Sequence, residues 1–177
     1  MPSVNVVFVE PSFPPTQRNF VRGLAEVGAT VIGICGGFQM LGRVIRDPAG
    51  MESPHQRADG LGLLPAATTL AADKTTRVRS ATTAGGVTFG AYEIHLGVTT
   101  VERPAVPFAR LDNGDVDGAC VERAIGTYLH GALESEDVCT ELFRVPMKTV
   151  VSKHEQYERL ADWFGRHGRG LERLGLF

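Results

Sequence analysis

The chain has 177 residues, a formal net charge of −2 at pH 7 and three widely spaced cysteines. That length suits one domain with a proper hydrophobic core, and the near-neutral charge gives no reason to expect nucleic acid or an anionic membrane as partner. The cysteines fit neither a disulfide framework nor a zinc cluster, which suits a reducing cytosol.

No apolar run approaches membrane-spanning length. The stretch Met1–Glu10 lacks a basic region and a cleavage site, so no signal peptide is expected and the chain is placed in the cytoplasm. Val4–Val9 predicts a short buried strand, stopped by Pro11, Pro14 and Pro15. Thr16–Val27 has helical spacing, with Phe20, Leu24 and Val27 on one face and Gly28 as its stop. Thr30–Ile34 is the next strand. Phe38–Ile45 continues as helix, closed by Asp47-Pro48. This β-α-β-α alternation predicts an α/β fold with a parallel sheet.

The middle of the chain differs. Gly60–Pro65 is a turn-rich apolar link. Thr75–Ser80, Val87–Leu96 and Phe108–Leu111 are predicted strands, with antiparallel pairing and a hairpin turn at Gly85-Gly86. Ile125–His130 is a further apolar strand that ends in a turn at Gly131. Glu134–Phe143 is a predicted helix. So is Tyr157–Leu174, where Leu160, Trp163, Phe164, Leu171 and Leu174 recur at helical spacing despite Gly165, Gly168 and Gly170.

The richest stretch is Thr30-Val-Ile-Gly-Ile-Cys-Gly-Gly-Phe-Gln-Met-Leu-Gly42. A strand, a tight glycine turn carrying Cys35 and then a helix make a nucleophile elbow, with cysteine in place of serine. A thiol there stands above the sheet and faces the positive end of the next helix, which favours thiolate. Gly33 and Gly37 flank it where side-chain bulk is poorly tolerated. Gly36 offers a backbone N–H for an oxyanion formed beside the sulfur. The elbow alone leaves open a second reading, a buried structural cysteine in a βα unit.

His130 closes the strand of Gly126-Thr-Tyr-Leu-His-Gly131. A histidine there is placed to take a proton from a thiol above the same sheet, or else caps a strand edge. Glu93 and His95 alternate on one strand and so share a face. They shape either a ligand pocket or an interface, or simply pack against a loop. His55, His154 and His167 have no motif around them and are expected at the surface. Cys120 and Cys139 lack a glycine corner, and the histidines show no metal-ligand spacing, so no metal is expected.

Together these motifs resemble the glutamine amidotransferase domain of the cobyric acid synthases, in the class I cysteine-nucleophile amidotransferase superfamily. The resemblance rests on Gly33–Gly42, on Asp47-Pro48 with Gly50 and Glu52, and on Gly60–Leu64. Lys74-Thr-Thr-Arg77, Tyr92-Glu-Ile-His-Leu-Gly97, Gly126–His130–Gly131 and the tail Tyr157–Phe164 complete it. It implies a flavodoxin-like class I fold, a parallel central sheet flanked by helices with additional antiparallel strands, across residues 1–177. It also implies a reaction. Cys35 attacks the side-chain amide of glutamine, ammonia leaves with a proton from His130, and water hydrolyses the thioester. Gln39, Gly36, Glu93 and His95 are the implied substrate-binding residues. The ammonia would go to an ATP-dependent synthetase that amidates corrinoid carboxylates. ATP and magnesium are expected only in that partner, and no cofactor in this chain.

The chain departs from the pattern in three places. Many class I relatives carry a glutamate two residues after the histidine; this chain has Ala132, and it resembles the cobyric-acid branch in lacking that glutamate. Relatives also carry Pro-Gly-Ser/Thr-Lys where this chain has Glu10-Pro11-Ser12-Phe13. If Pro11 replaces that glycine it has no N–H to give an oxyanion, and losing one such donor costs roughly 100–1000-fold in rate. No Gly-x-x-x-x-Gly-Lys-Ser/Thr phosphate loop is present, and the family's opening strand and helix are expected to be missing before Val4, as in a truncated gene product, a split subunit or a remnant. The competing expectations are a weakened or inactive interaction domain, an amidotransferase for another carboxylate such as a cell-wall precursor, and a cysteine hydrolase for other substrates.

Overall fold

The computed structural model describes residues 5–9, 17–144 and 153–167. The expectations for Pro11, His154's side chain, Leu171 and Leu174 lie outside those residues. Strand β1 (Asn5–Val9) is followed by helix α1 (Gln17–Glu26) and strand β2 (Thr30–Ile34). α1 ends at Gly28, where the N–H of Gly28 donates to Ala25 O and that of Ala29 to Leu24 O, each at 3.0 Å. Its buried face is not the expected one. Val21 is fully buried against Val31, Phe38 and Leu64, whereas Phe20 and Val27 are 61% and 77% exposed.

Helix α2 (Gly36–Leu41) is shorter than the expected Phe38–Ile45. Gly42 is extended, the N–H of Arg43 donates to Ala66 O at 2.7 Å, and the β-branched pair Val44-Ile45 continues as strand β3 (Val44–Arg46). β3 runs antiparallel to β4 (Arg57–Asp59), which the sequence did not signal. Between them the Asp47 carboxylate accepts the N–H groups of Met51, Glu52 and Ser53 at 2.7–3.0 Å. Those bonds hold its pKa below the ordinary value.

A long antiparallel hairpin follows, β5 (Ala66–Thr83) and β6 (Thr88–Val101), with its turn at Gly85-Gly86 as expected. Both strands run well past the expected Thr75–Ser80 and Val87–Leu96, with a register shift between Thr69 and Lys74. Three short strands come next, β7 (Ala109–Leu111), β8 (Val116–Asp117) and β9 (Ala119–Val121). The expected single strand Ile125–His130 is two: β10 (Ala124–Thr127) and β11 (Leu129–His130). They belong to different sheets, and the chain breaks between them at Tyr128.

The first sheet has the order β1-β2-β10-β9, with β1 and β10 parallel to β2 and β9 antiparallel to β10. The second runs β11-β6-β5-β3-β4, with β7 on β5 and β8 on β7. The fold is α/β with a parallel sheet and added antiparallel strands, and the antiparallel part is the larger. One core cluster joins Ile32, Phe89, Phe108, Leu129 and Val138; the other joins Val21, Val31, Phe38, Leu64 and Tyr128. After a 3-10 turn over Ala132–Glu134, helix α3 (Glu136–Phe143) starts at Ser135, whose Oγ accepts the N–H of Val138 at 3.3 Å. Helix α4 (Lys153–His167) leaves Tyr157, Leu160, Trp163 and Phe164 exposed. Among the described residues no helix is long and apolar enough to cross a membrane.

Candidate active site

Cys35 sits one residue past β2, and its N–H donates to Thr127 O at 2.9 Å. Its backbone has φ 55° and ψ −116°, in the half of conformational space that side chains avoid. Such a residue stores on the order of 1–3 kcal/mol of strain, and strain of this kind clusters at functional sites. The corner is tight from below: a Cβ on Gly33 would stand 2.6 Å from the Gly37 carbonyl carbon and oxygen. It is open on the next residue, since a Cβ on Gly36 would meet nothing within 4 Å. The half-buried thiol donates to Ile94 O at 3.3 Å.

Gln39, on the first turn after the corner, is buried. Its Nε2 donates to Tyr128 Oη at 3.3 Å and, more weakly, to Leu96 O at 3.4 Å. Tyr128 Oη also pairs with Thr99 Oγ1 at 2.5 Å, and Thr99 with Thr68 Oγ1 at 2.7 Å. Burial pushes the Tyr128 phenol up, partly offset by the bonds to Thr99 and Gln39. Its ring meets Phe38 edge-on, centroids 5.1 Å apart.

Glu93 and His95 do share a face, and they touch. His95 Nε2 is 3.3 Å from Glu93 Oε1, and His95 Nδ1 is 3.0 Å from Gly97 O. Arg79 Nε donates to Glu93 Oε2 at 2.8 Å and its other arm reaches Asp112 at 3.4 Å. Burial alone would raise the Glu93 pKa, but the Arg79 and His95 bonds outweigh it and hold the carboxyl below its ordinary value. Glu93, His95, Thr99 and Tyr128 line a cleft of about 630 Å³ against the second sheet, with Phe38 and Asp117 on its wall; Cys35, Gln39 and His130 are not among its lining residues, and Gln39 reaches it through its bond to Tyr128. A cleft of that size takes a small ligand.

His130 lies across from Tyr92 in the β11–β6 pairing, two positions along β6 from the Ile94 carbonyl that receives the Cys35 thiol. Its Nε2 is buried and, among the described residues, has no hydrogen-bond partner, Cys35 Sγ included. The two residues therefore stand at the same stretch of β6 without being bonded to one another. A buried ring nitrogen without a partner is costly in a structure that has no use for it. Ala132 is buried two residues on, where many class I relatives hold a carboxylate.

The sequence did not single out Tyr128, Arg79, Thr99 or Asp117. Tyr128 lay inside a quoted motif, and Arg79 shares its face of β5 with Arg77, directly across from Glu93. Asp117 carried no local signal. Burial raises the Cys120 thiol to about 11 and also lifts that of Cys139, which keeps both as thiols near neutrality. His55 and His167 are exposed. Among the described residues no group of three His, Cys, Asp or Glu side chains could hold a metal ion.

A family model for the CobB/CobQ-like glutamine amidotransferase domain matches residues 16–138. Cobyric acid synthases of two Bacteroides fragilis strains are each 40% identical over 152 residues, 79% of this chain and 31% of theirs. The chain thus spans about a third of the length of the curated relatives it matches. Among solved structures, a glutamine amidotransferase superposes with a TM-score of 0.53 at 18% identity, over 73% of this chain and 69% of that one. That likeness is one of fold.

Proposed function

The chain belongs to the CobB/CobQ-like glutamine amidotransferase domain family, and from that premise we propose that it is a glutaminase unit, one amidotransferase domain across residues 1–177. The observation that carries this is the backbone of Cys35, held at φ 55° on a strand-to-helix corner beside the buried Gln39. The similarity to cobyric acid synthases supports the finer reading, ammonia supply for amidation of corrinoid carboxylates in cobalamin biosynthesis.

Glutamine enters the cleft against the second sheet, its amide directed toward the Cys35 corner by Gln39 and the His95–Tyr128 wall. His130 Nε2 takes the proton of the Cys35 thiol, and the thiolate attacks the amide carbon. The oxygen gains negative charge beside the Gly36 N–H. Collapse breaks the C–N bond, and the nitrogen leaves as ammonia with the proton from His130. Water then attacks the thioester, His130 again taking a proton, to give glutamate and the free thiol. Ammonia passes to a synthetase domain or subunit that binds ATP and magnesium and holds the corrinoid acceptor. The residues that activate the acceptor belong to that partner.

A second reading, an amidotransferase-like domain with weakened or no turnover, is favoured by the proline at position 11 and by the His130 Nε2, which has no carboxylate partner among the described residues. Ammonia release from glutamine by the purified chain, alone and mixed with a cobyric acid synthetase domain, separates the two. Glutamate formed in step with ammonia supports the glutaminase. No turnover under either condition supports the interaction domain.

A further inference from the structure

Asp117 is buried at the end of β8, 7% exposed, and forms no ion pair among the described residues. Its carboxylate accepts the Thr127 hydroxyl, and both its oxygens lie 3.2–3.3 Å from the Tyr128 N–H. Thr127 Oγ1 in turn accepts the N–H of Leu129 at 3.0 Å. One carboxylate thus clamps, directly or through one hydroxyl, the three residues that precede His130. These are the residues where the chain leaves the first sheet for the second.

The clamp is built from both sides. Gly118 has φ +76°, and a Cβ there would lie 2.3 Å from Gly126 O and 2.8 Å from Phe108 Cβ. The corner therefore presses on β10 as no larger residue allows. The Asp117 carbonyl accepts the N–H of Phe108 at 2.9 Å. Burial raises the Asp117 pKa to about 6, Glu93 adds to the rise, and Thr127, Tyr128 and His95 oppose it; Cys120 is the other titratable neighbour. An asparagine would accept the same N–H without the cost of burying a charge. What the charge adds is a stronger, shorter hold on the peptide.

We propose that Asp117 is a positioning residue: its carboxylate fixes the chain break after Thr127 and so sets where Tyr128 and His130 stand relative to Cys35. This rests on the reading of Cys35 and His130 as the reacting pair. Tyr128 carries the hydrogen bond to Gln39 and the stacking on His95, so the same clamp reaches the ligand side of the cleft.

The test is the rate of Cys35 alkylation by iodoacetamide at pH 7, followed by mass spectrometry on the full chain. It compares wild type, Asp117→Asn, Thr127→Val, His130→Ala and the Asp117→Asn/His130→Ala double variant. A thiolate assisted by His130 loses about tenfold in population for each unit its pKa rises. Asp117→Asn is expected to slow alkylation about tenfold, in the same sense as His130→Ala, with a thermal midpoint at pH 8 no lower than wild type. The double variant is expected to be no slower than His130→Ala alone. Thr127→Val, which keeps the charge and cuts one bond, is expected to slow the reaction about threefold, and it decides the matter if Asp117→Asn does not fold. A wild-type rate in Asp117→Asn, or in Thr127→Val, beside a slow His130→Ala overturns the role of Asp117 alone. So does a double variant whose losses multiply. A wild-type rate in His130→Ala overturns the reacting pair itself, and the positioning role with it.

Discussion

The Tyr128 ring stacks on the His95 imidazole, centroids 4.0 Å apart and planes 26° from parallel. This one contact joins two motifs distant in sequence, Tyr92–Gly97 and Gly126–Gly131, on the wall of the cleft. Tyr128→Phe keeps the stacked ring but removes the partner of Gln39 and of Thr99. The expected result is a KM for glutamine raised roughly five- to tenfold with a smaller change in kcat, and a stability loss of about 1–2 kcal/mol. An unchanged KM in steady-state kinetics would remove Gln39 and Tyr128 from the ligand side of the cleft.

Glu93 is held between Arg79 and His95 with its carboxyl below the ordinary 4.5. The folded chain therefore binds that proton less readily than the unfolded chain. Its contribution is present above pH 4.5 and is lost as pH falls through the lower folded value. Glu93→Gln is expected to lose on the order of 2 kcal/mol at pH 7, with the gap to wild type closing in more acidic buffer. Urea unfolding at a series of pH values measures it, and a gap that widens in acid would contradict the assignment.

Much of this was legible in the sequence. β2 and the glycine corner follow from a buried β-branched run ending in Gly-Ile-Cys-Gly-Gly, and the Gly85-Gly86 hairpin from its turn residues. The shared face of Glu93 and His95 follows from strand alternation. What periodicity missed depends on tertiary partners. Val44-Ile45 is helical in pattern but becomes a strand because β5 and β4 lie on either side of it. Ile125–His130 is one apolar run, yet it breaks at Tyr128, where the N–H goes to the carboxylate of Asp117, a residue outside the run and without a motif. Val21 rather than Phe20 is buried because α1 lies on Val31 and Leu64, a choice that spacing of apolar residues does not make.

The strain at Cys35 has a stability consequence. Glycine adopts φ 55° without a Cβ penalty, so Cys35→Gly is expected to raise stability by about 1 kcal/mol while ending turnover. Gly33→Ala does the reverse at the same corner. Its Cβ would stand 2.6 Å from the Gly37 backbone, and a loss of about 1–3 kcal/mol or more is expected. Thermal unfolding of both variants checks the pair, and a destabilised Cys35→Gly would mean that the corner holds no strain.

The most direct measurement is covalent capture at the corner. The chain is incubated with a glutamine-mimicking electrophile, with and without excess glutamine, and the adduct is mapped by peptide mass spectrometry. The account predicts one adduct, on Cys35, suppressed by glutamine and absent in Cys35→Ser, with Cys120 and Cys139 untouched. Equal labelling of the three cysteines, or labelling of Cys35 that glutamine does not slow, would contradict it.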